Sequence, residues 1–321
     1  MKNRKRTFIL IEMVLGIAAA AVGVMTLWGQ TSKSKDKVSV IIENSDDSQW
    51  TAFKYGLKMA AMDEELELSI VNTASELTVE EEEQLIVNEI QNGAAAMIVH
   101  AVDGSDAEEM LRGLEAKVPI VLVESAASQE RSESELPVIQ PDNYAMGEAI
   151  GQALLQDYGG SLKGKTIGII SADYASEAVL NRQKGLLDAI RDRGGTISWS
   201  ALGMIKETVV KEKPKVDFII ALDNNSVIAA GQAAAANNIH GALVYGIGRS
   251  TEAVYYVDKG IAECLVVPDE FSVGYESLRE VGKRLDQYFY KIQDKTVSYT
   301  VMRQETLFTD MNQEILFTMN Q

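Results

Sequence analysis

The chain has 321 residues, of which 46% are hydrophobic and 24% are charged, which is enough to bury one or two substantial cores. Its formal net charge of -17 disfavours nucleic-acid binding, because the phosphate backbone repels an acidic surface. With one cysteine, Cys264, no intrachain disulfide can form, and two histidines make a Cys/His zinc site implausible. Composition therefore favours a folded protein that binds neither nucleic acid nor structural zinc.

The N-terminal segment predicts a membrane anchor. A basic end at residues 1–6 precedes an apolar run at residues 7–29, which as a helix covers roughly 33 Å, enough to cross a bilayer. The basic end is expected to stay cytoplasmic, which places residues 30–37 as a linker and everything beyond it outside the membrane. A cleaved signal peptide is the alternative, since Ala18 to Ala21 offer small-residue cleavage sites and cleavage would release the protein. The retained anchor is preferred because the run is long and Trp28 stands where an interfacial aromatic is expected.

The rest of the chain alternates short apolar runs with helical stretches. The predicted strands are 38–42, 68–71, 95–99, 119–123, 165–170, 196–200, 216–221 and 242–247, and the clearest helices are 49–64, 79–91, 143–157, 177–192 and 225–236. Such an alternation is typical of parallel sheets built from βαβ units. Because "VIQPDNYAMG" separates two sets of four units, we predict an α/β fold with two doubly wound lobes.

A phosphate-loop signature at Gly159–Thr166 is interpreted as accidental. It follows a predicted helix and leads into a predicted strand, the reverse of the order that places a helix N-terminus against a phosphate. We expect its glycines to end the helix instead.

Other chemical motifs are weak. Gly246–Ser250 lacks the third glycine and the later acid of a dinucleotide loop, and Cys264 lies in an apolar run where a thiol is usually inert. His100 ends a predicted strand, where ligands often bind, although a structural histidine is the preferred interpretation. We expect no enzyme activity, no cofactor and no metal.

Several segments in succession resemble a family of known proteins. "KVSVIIENSDDSQWTAFKYGLKMAA", "NGAAAMIVHAVDGSDA", "PIVLVES", "PDNYAMGEAIGQAL", "VDFIIALDNNSVIAAGQAA", "ALVYGIGRSTEAV" and "ECLVVPDEFSVGYESL" occur in the order and spacing of periplasmic binding proteins of the ribose-binding type. The resemblance runs from about Lys37 to Ile292. It implies two lobes joined by three crossovers, near Gln140–Pro141, Pro268 and Gln293–Thr296. The first lobe would comprise 38–140 plus 269–293, the second 141–268 plus 294–303, with a tail at 304–321.

The resemblance also implies a ligand site between the lobes. Its main members are Asp47, Trp50, Glu124, Arg182 and Asp223, with Gln49, His100 and Arg249 as further candidates. Carboxylates accept paired sugar hydroxyls, an aromatic face covers a pyranose, and an arginine donates in fixed geometry.

Structural roles remain alternatives for each of the main residues. Trp50 could pack at the head of its helix, Glu124 and Arg182 could be solvated charges at a lobe edge, and the two aspartates could cap helices. The chain also departs from the family pattern at three positions, Ser125, Gly248 and Pro268, which argues against an ordinary aldose as ligand.

The resemblance implies a solute-binding protein that captures a sugar-like molecule for an ABC permease. The alternative is a membrane-tethered sensory module that reports to a kinase or chemoreceptor, and a monomer is expected in either case. The tail contains two nearly identical segments, one beginning at Gln304 and the other at Gln313. We expect these to form two short strands or an extended segment that docks on a lobe.

Overall fold

The computed structural model describes residues 35–73, 77–102, 105–124, 136–172, 176–203 and 211–321. The predicted anchor at 7–29 lies outside these ranges, as do the basic end and most of the linker. No helix within the described ranges is long and apolar enough to cross a membrane. Residues 36–321 form one compact unit.

Strands and helices alternate along this unit. In chain order they are β1 (Lys37–Ile41), α1 (Thr51–Asp63), β2 (Glu67–Ile70), α2 (Val79–Gln91), β3 (Ala94–Val99), α3 (Ser105–Glu115), β4 (Ile120–Val123), β5 (Val138–Pro141), α4 (Asn143–Asp157), β6 (Thr166–Ser171), α5 (Glu177–Ile190), β7 (Thr196–Leu202), β8 (Phe218–Ala221), α6 (Asn224–Ala235), β9 (Leu243–Ile247), α7 (Thr251–Asp258), β10 (Ala262–Pro268), α8 (Glu270–Asp286), β11 (Lys295–Val297), β12 (Tyr299–Met302) and α9 (Asp310–Thr318). Short 3-10 turns occupy Ser48–Trp50 and Gln304–Thr306.

The strands form two six-stranded sheets. The first has the order β11-β5-β4-β3-β1-β2 and is parallel throughout. The second has the order β12-β10-β9-β8-β6-β7 and is parallel except for β12, which runs antiparallel to β10. The predicted fold class, two doubly wound α/β lobes, is confirmed.

Each sheet is buried on both faces, which explains its continuous apolar strands. Val40 and Ile98 pack on one face of the first sheet, whereas Ile41 and Val99, one residue further along each strand, pack on the other. This follows from the two-residue period of a strand.

The chain passes between the sheets three times, after Pro141, after Pro268 and at Ser298. Hydrogen bonds tie these crossings together, because the Asp142 amide donates to the Val297 carbonyl at 3.3 Å and the Asp269 amide to the Ser298 carbonyl at 3.1 Å. One predicted boundary is wrong: residues 295–297 pair with β5 and belong to the first lobe, not the second. Residues 295–302 form one alternating run, and a local pattern cannot show that its two halves pair with different sheets.

The tail also differs from the prediction. The two similar segments of the tail fold as a 3-10 turn at Gln304–Thr306 and as the helix α9 at Asp310–Thr318, and not as a pair of strands. Leu307 and Met319 are buried in the core of the second lobe, so the tail is an integral part of that core.

The order of elements around the phosphate-loop signature is as predicted. Helix α4 ends at Asp157, Gly159 and Gly160 take positive φ values of 62° and 81°, and β6 begins at Thr166. No helix starts there, so the loop lacks the geometry that binds a phosphate.

Candidate functional site

A cleft of about 450 Å³ lies between the two lobes, where the carboxyl ends of their strands meet. All eight predicted site residues line it: Asp47, Gln49, Trp50, His100, Glu124, Arg182, Asp223 and Arg249. A larger concavity of about 710 Å³ lies around Pro119 and Pro137, at the start of two first-sheet strands, and contains none of them. The described residues include no group of His, Cys, Asp and Glu that could hold a metal ion.

The first loop supplies residues that also have structural partners. Asp47 caps the turn before α1, with its carboxylate accepting from the Gln49 amide at 3.0 Å. Trp50 is only 2% exposed, its indole nitrogen donates to the Glu43 carbonyl at 2.9 Å, and its ring meets His100 edge-on at 5.2 Å. Asp47 therefore has a capping role and Trp50 a packing role, which are the structural alternatives considered for these two residues.

Arg249 spans the cleft from the second lobe. Its Nη1 donates to Glu124 Oε1 at 2.5 Å and to Glu270 Oε1 at 2.9 Å. Nε and Nη2 donate to Gln49 Oε1 at 3.4 and 3.3 Å, and the guanidinium stacks 4.6 Å from the centre of the Trp50 ring. The aromatic face predicted to cover a ligand is therefore covered by a side chain of the protein itself.

The pKa values of the two carboxylates that share Arg249 shift in opposite directions. Burial alone would raise the pKa of Glu124, but the charges of Arg249, Arg182 and His100 lower it below its usual range. Burial raises the pKa of Glu270, where Arg249 offsets it only in part and Glu124 adds repulsion. Burial opposes the charge on Arg249, yet Glu124 and Glu270 raise its pKa. An ionised Glu124 facing a permanently charged Arg249 results.

Glu124 also has an unusual backbone. It follows β4 with a φ of 50°, in the left-handed region that a non-glycine residue rarely occupies. Such strain persists where the surrounding structure stabilises it, often at a functional site.

Arg182 contributes donors from α5. Its Nε donates to Asn143 Oδ1 at 2.8 Å and its Nη1 to the Leu222 carbonyl at 3.1 Å, both within the second lobe. In the part of the chain that the structure describes, Nη2 has no hydrogen-bond partner, and the residue lines the cleft. Burial lowers the pKa of Arg182, with Glu124 countering this shift. The guanidinium is thus held in place with donors left for a ligand.

Asp223 already has partners for both carboxylate oxygens. Oδ1 accepts from the Ser226 amide at 2.8 Å, which caps α6, and Oδ2 accepts from Ser171 Oγ and the Ala172 amide, each at 2.7 Å. These contacts match the capping alternative.

Sequence reasoning missed three polar residues that hold the two arginines of the site. Glu270 binds Arg249, Asn143 binds Arg182, and Asn224 Oδ1 accepts from the Arg249 amide at 3.0 Å. A signal for the first two was present, because each follows a Pro-Asp pair, Pro141-Asp142 or Pro268-Asp269, at a crossing between the lobes.

Comparison with known proteins places this geometry in context. GanP, a glucose-galactose binding protein from Geobacillus stearothermophilus, is similar with a TM-score of 0.74 at 18% identity, covering 86% of this chain and 100% of that one. A carbohydrate transporter solute binding protein from Agrobacterium radiobacter, in complex with D-arabinose, gives 0.75 at 16% identity over 88% and 99%. A XylFII-LytSN complex gives 0.71 at 13% identity over 84% and 98%. These similarities establish the fold.

A search of curated protein sequences gave no match. The family comparison is decisive, because residues 38–286 match the periplasmic binding protein domain, which is more than half of the chain. With its two parallel-sheet lobes, three crossings and interlobe cleft, the chain belongs to the periplasmic binding protein family.

Proposed function

We propose that this protein is an extracytoplasmic solute-binding protein that captures a sugar-like molecule between its lobes for import by an ABC-type permease. One observation carries the proposal: a cleft of about 450 Å³ is lined by polar side chains from both lobes. That volume lies within the range of about 300–1,000 Å³ that is usual for small-molecule sites. The solved relatives bound to or named for sugars support the ligand class.

The chemistry of the cleft suits a neutral ligand rich in hydroxyl groups. Arg182 Nη2 offers donors, while Asp47 and His100 add groups from the opposite lobe. Because Arg249 covers the face of Trp50, recognition by this site rests on hydrogen bonds more than on ring stacking. This agrees with the expectation that the ligand is not an ordinary aldose.

A thermal-shift screen of the full chain against aldoses, ketoses, polyols and sugar acids tests the proposal. A ligand that binds only the folded state raises Tm in proportion to RT ln(1 + [L]/Kd), so the cognate compound is expected to stand out. A screen in which no sugar or polyol raises Tm would contradict the proposed ligand class.

Calorimetry on the best compound then tests the site. Arg182→Lys keeps the charge but loses the planar fork, and we expect at least about tenfold weaker binding from the lost hydrogen bonds. Arg191→Lys is the matched control, since Arg191 is an exposed arginine just after α5 that does not line the cleft. Equal affinity of both variants would place the ligand elsewhere.

A sensory role is the second candidate, because the XylFII-LytSN complex shows a protein of this fold in a complex with another protein. In this alternative the same cleft reports ligand occupancy to a membrane kinase or chemoreceptor. Cross-linking in native membranes separates the two, since a permease is expected as the partner in import and a kinase or receptor in sensing. In both cases we propose a monomer tethered by residues 7–29, with the lobes outside the membrane.

A further inference from the structure

Arg249 joins the two lobes directly. Its backbone belongs to the second lobe, just after β9, where Asn224 Oδ1 accepts from its amide at 3.0 Å. Its guanidinium lies among groups of the first lobe, at 2.5 Å from Glu124 and 2.9 Å from Glu270, and both carboxylates are at most 8% exposed. This side chain therefore forms buried ion pairs that exist only while the lobes are together.

The groups around the guanidinium form a recognition site for a cation. An aromatic face at 4.6 Å, two carboxylate oxygens and the amide oxygen of Gln49 surround it. Planar guanidinium groups favour stacking on an aromatic ring combined with charge-assisted bonds to carboxylates. All four residues of this cation site (Gln49, Trp50, Glu124 and Glu270) belong to the first lobe, so the site is filled by a side chain of the other lobe.

The ion pair between Arg303 and Asp157 is a useful comparison for Arg249, because both of its residues lie in the same lobe. Arg303 Nη1 also donates to a carboxylate, at 3.0 Å, but β12 and α4 both belong to the second lobe. Opening of the lobes would leave that pair intact, whereas it would separate Arg249 from the cation site.

We propose that Arg249 is a tethered occupant of the cation site and holds the two lobes closed in the absence of any external ligand. The cleft of about 450 Å³ lies beside the guanidinium, so this side chain leaves room for a solute between the lobes. The inference concerns the resting conformation and does not depend on which solute binds.

The test measures the distance across the cleft in the full chain without ligand. Spin labels are attached at Glu80→Cys and Thr251→Cys, which are exposed residues in the first turns of α2 and α7, one in each lobe. The native Cys264 is buried and therefore protected from labelling. Pulsed electron paramagnetic resonance in detergent micelles is expected to give one short distance for the labelled parent. Arg249→Ala is expected to shift the distribution to longer distances, and Arg303→Ala to leave it unchanged.

A second variant guards against a failure of Arg249→Ala to fold. Glu124→Gln keeps the size of the side chain but removes the charge that faces Arg249, and we expect it to lengthen the distance as well. An unchanged short distance in a folded Arg249→Ala, or in Glu124→Gln if the first variant does not fold, would overturn the proposal.

Guanidinium ion tests the cation site itself. At millimolar, non-denaturing concentration it is expected to bind the first-lobe site of Arg249→Ala with a saturable heat in titration calorimetry, whereas sodium chloride at equal ionic strength is not. Because the free ion is not attached to the second lobe, it is expected to leave the longer distance in Arg249→Ala unchanged. The double variant Arg249→Ala with Glu124→Gln is expected to show no binding. Absence of a saturable heat with Arg249→Ala would overturn the assignment of the cation site. Because no solute is added, these results are independent of the ligand screen.

Discussion

Glu82, on α2, is the clearest case of a buried carboxyl group outside the cleft. Its side chain is fully buried, Oε1 accepts from the Val102 amide at 3.1 Å, and Oε2 has no hydrogen-bond partner among the described residues. Burial raises the pKa of Glu82 to about 7, and repulsion from Glu43 adds to the effect although the bond from Val102 opposes it. The folded protein therefore keeps a proton that the unfolded chain loses at lower pH.

Glu82→Gln should remove this pH dependence. Because the pKa is raised on folding, the contribution of this group to stability is largest below the unfolded pKa of about 4.5 and is lost as the pH rises to about 7, by up to about 3 kcal/mol. We expect the substitution to raise the free energy of unfolding above neutral pH and to change it little in acid. Urea unfolding at several pH values measures this difference between variant and parent.

Glu83→Gln is the matched control, because Glu83 is exposed on the same helix. Surface substitutions of this kind usually change stability by less than about 0.5 kcal/mol. An equal effect of both substitutions across the pH range would contradict the assignment to the buried carboxyl group.

At the level of elements, two helix pairs pack through glycines in the same arrangement. Helix α4 meets α5, where a Cβ on Gly185 would lie 2.0 Å from the Tyr144 carbonyl oxygen. Helix α8 meets α1, where a Cβ on Gly56 would lie 2.0 Å from the Phe271 carbonyl oxygen. Each pair begins at a Pro-Asp crossing whose aspartate caps the helix. In each lobe, a glycine thus allows the helix that follows a crossing to pack closely against a neighbouring helix.

Gly185→Ala is expected to destabilise the second lobe. The added methyl group has no room against a backbone carbonyl, so the helices must separate, and overpacking of this kind typically costs about 1–3 kcal/mol. The urea midpoint should fall accordingly.

Gly113→Ala makes the opposite prediction within the same experiment. Gly113 lies inside α3 with nothing within 4 Å of the added Cβ, so the change should stabilise the protein by about 0.5–1 kcal/mol. A loss of stability at Gly113 as large as at Gly185 would show that close packing is not the cause.

At the level of the whole molecule, the tail connects more than one region. Leu307 and Met319 are buried in the core of the second lobe, while Phe317 in α9 meets Tyr55 of α1 in the first lobe at 6.3 Å. The tail therefore connects the two lobes, as Arg249 and the three crossings also do.

Leu307→Ala tests how firmly the tail is built into the core. Truncating a fully buried leucine typically costs about 2–5 kcal/mol, and we expect a loss of that size in the free energy of unfolding. Phe308→Ala, at the neighbouring residue of the same repeated word, is the control because Phe308 is 64% exposed. Equal small effects would indicate a tail that is only loosely attached.

Much of the architecture could be predicted from local patterns. The apolar runs at residues 119–123 and 216–221 contain the buried strands Ile120–Val123 and Phe218–Ala221, because a parallel sheet covered on both faces leaves no polar side. The same reasoning rejected the phosphate loop, since the order of helix and strand around Gly159 is visible in the chain itself. The positions of the site residues followed from the resemblance, because strand ends at one edge of a parallel sheet gather their loops.

By itself, the sequence determined the alternation of strands and helices and the two lobes, because these depend on periodicity and chain order, whereas the loops that line the cleft followed from the resemblance to the family. Only the tertiary structure decided the partners. In the tertiary structure, Arg249 contacts Trp50 and Glu124 across the cleft, and Asp223 caps a helix. Residues 295–302 are divided between the two sheets. The reason is physical: a side chain's partner depends on which distant segments fold against it, and burial then decides whether two charges attract strongly or are screened by water.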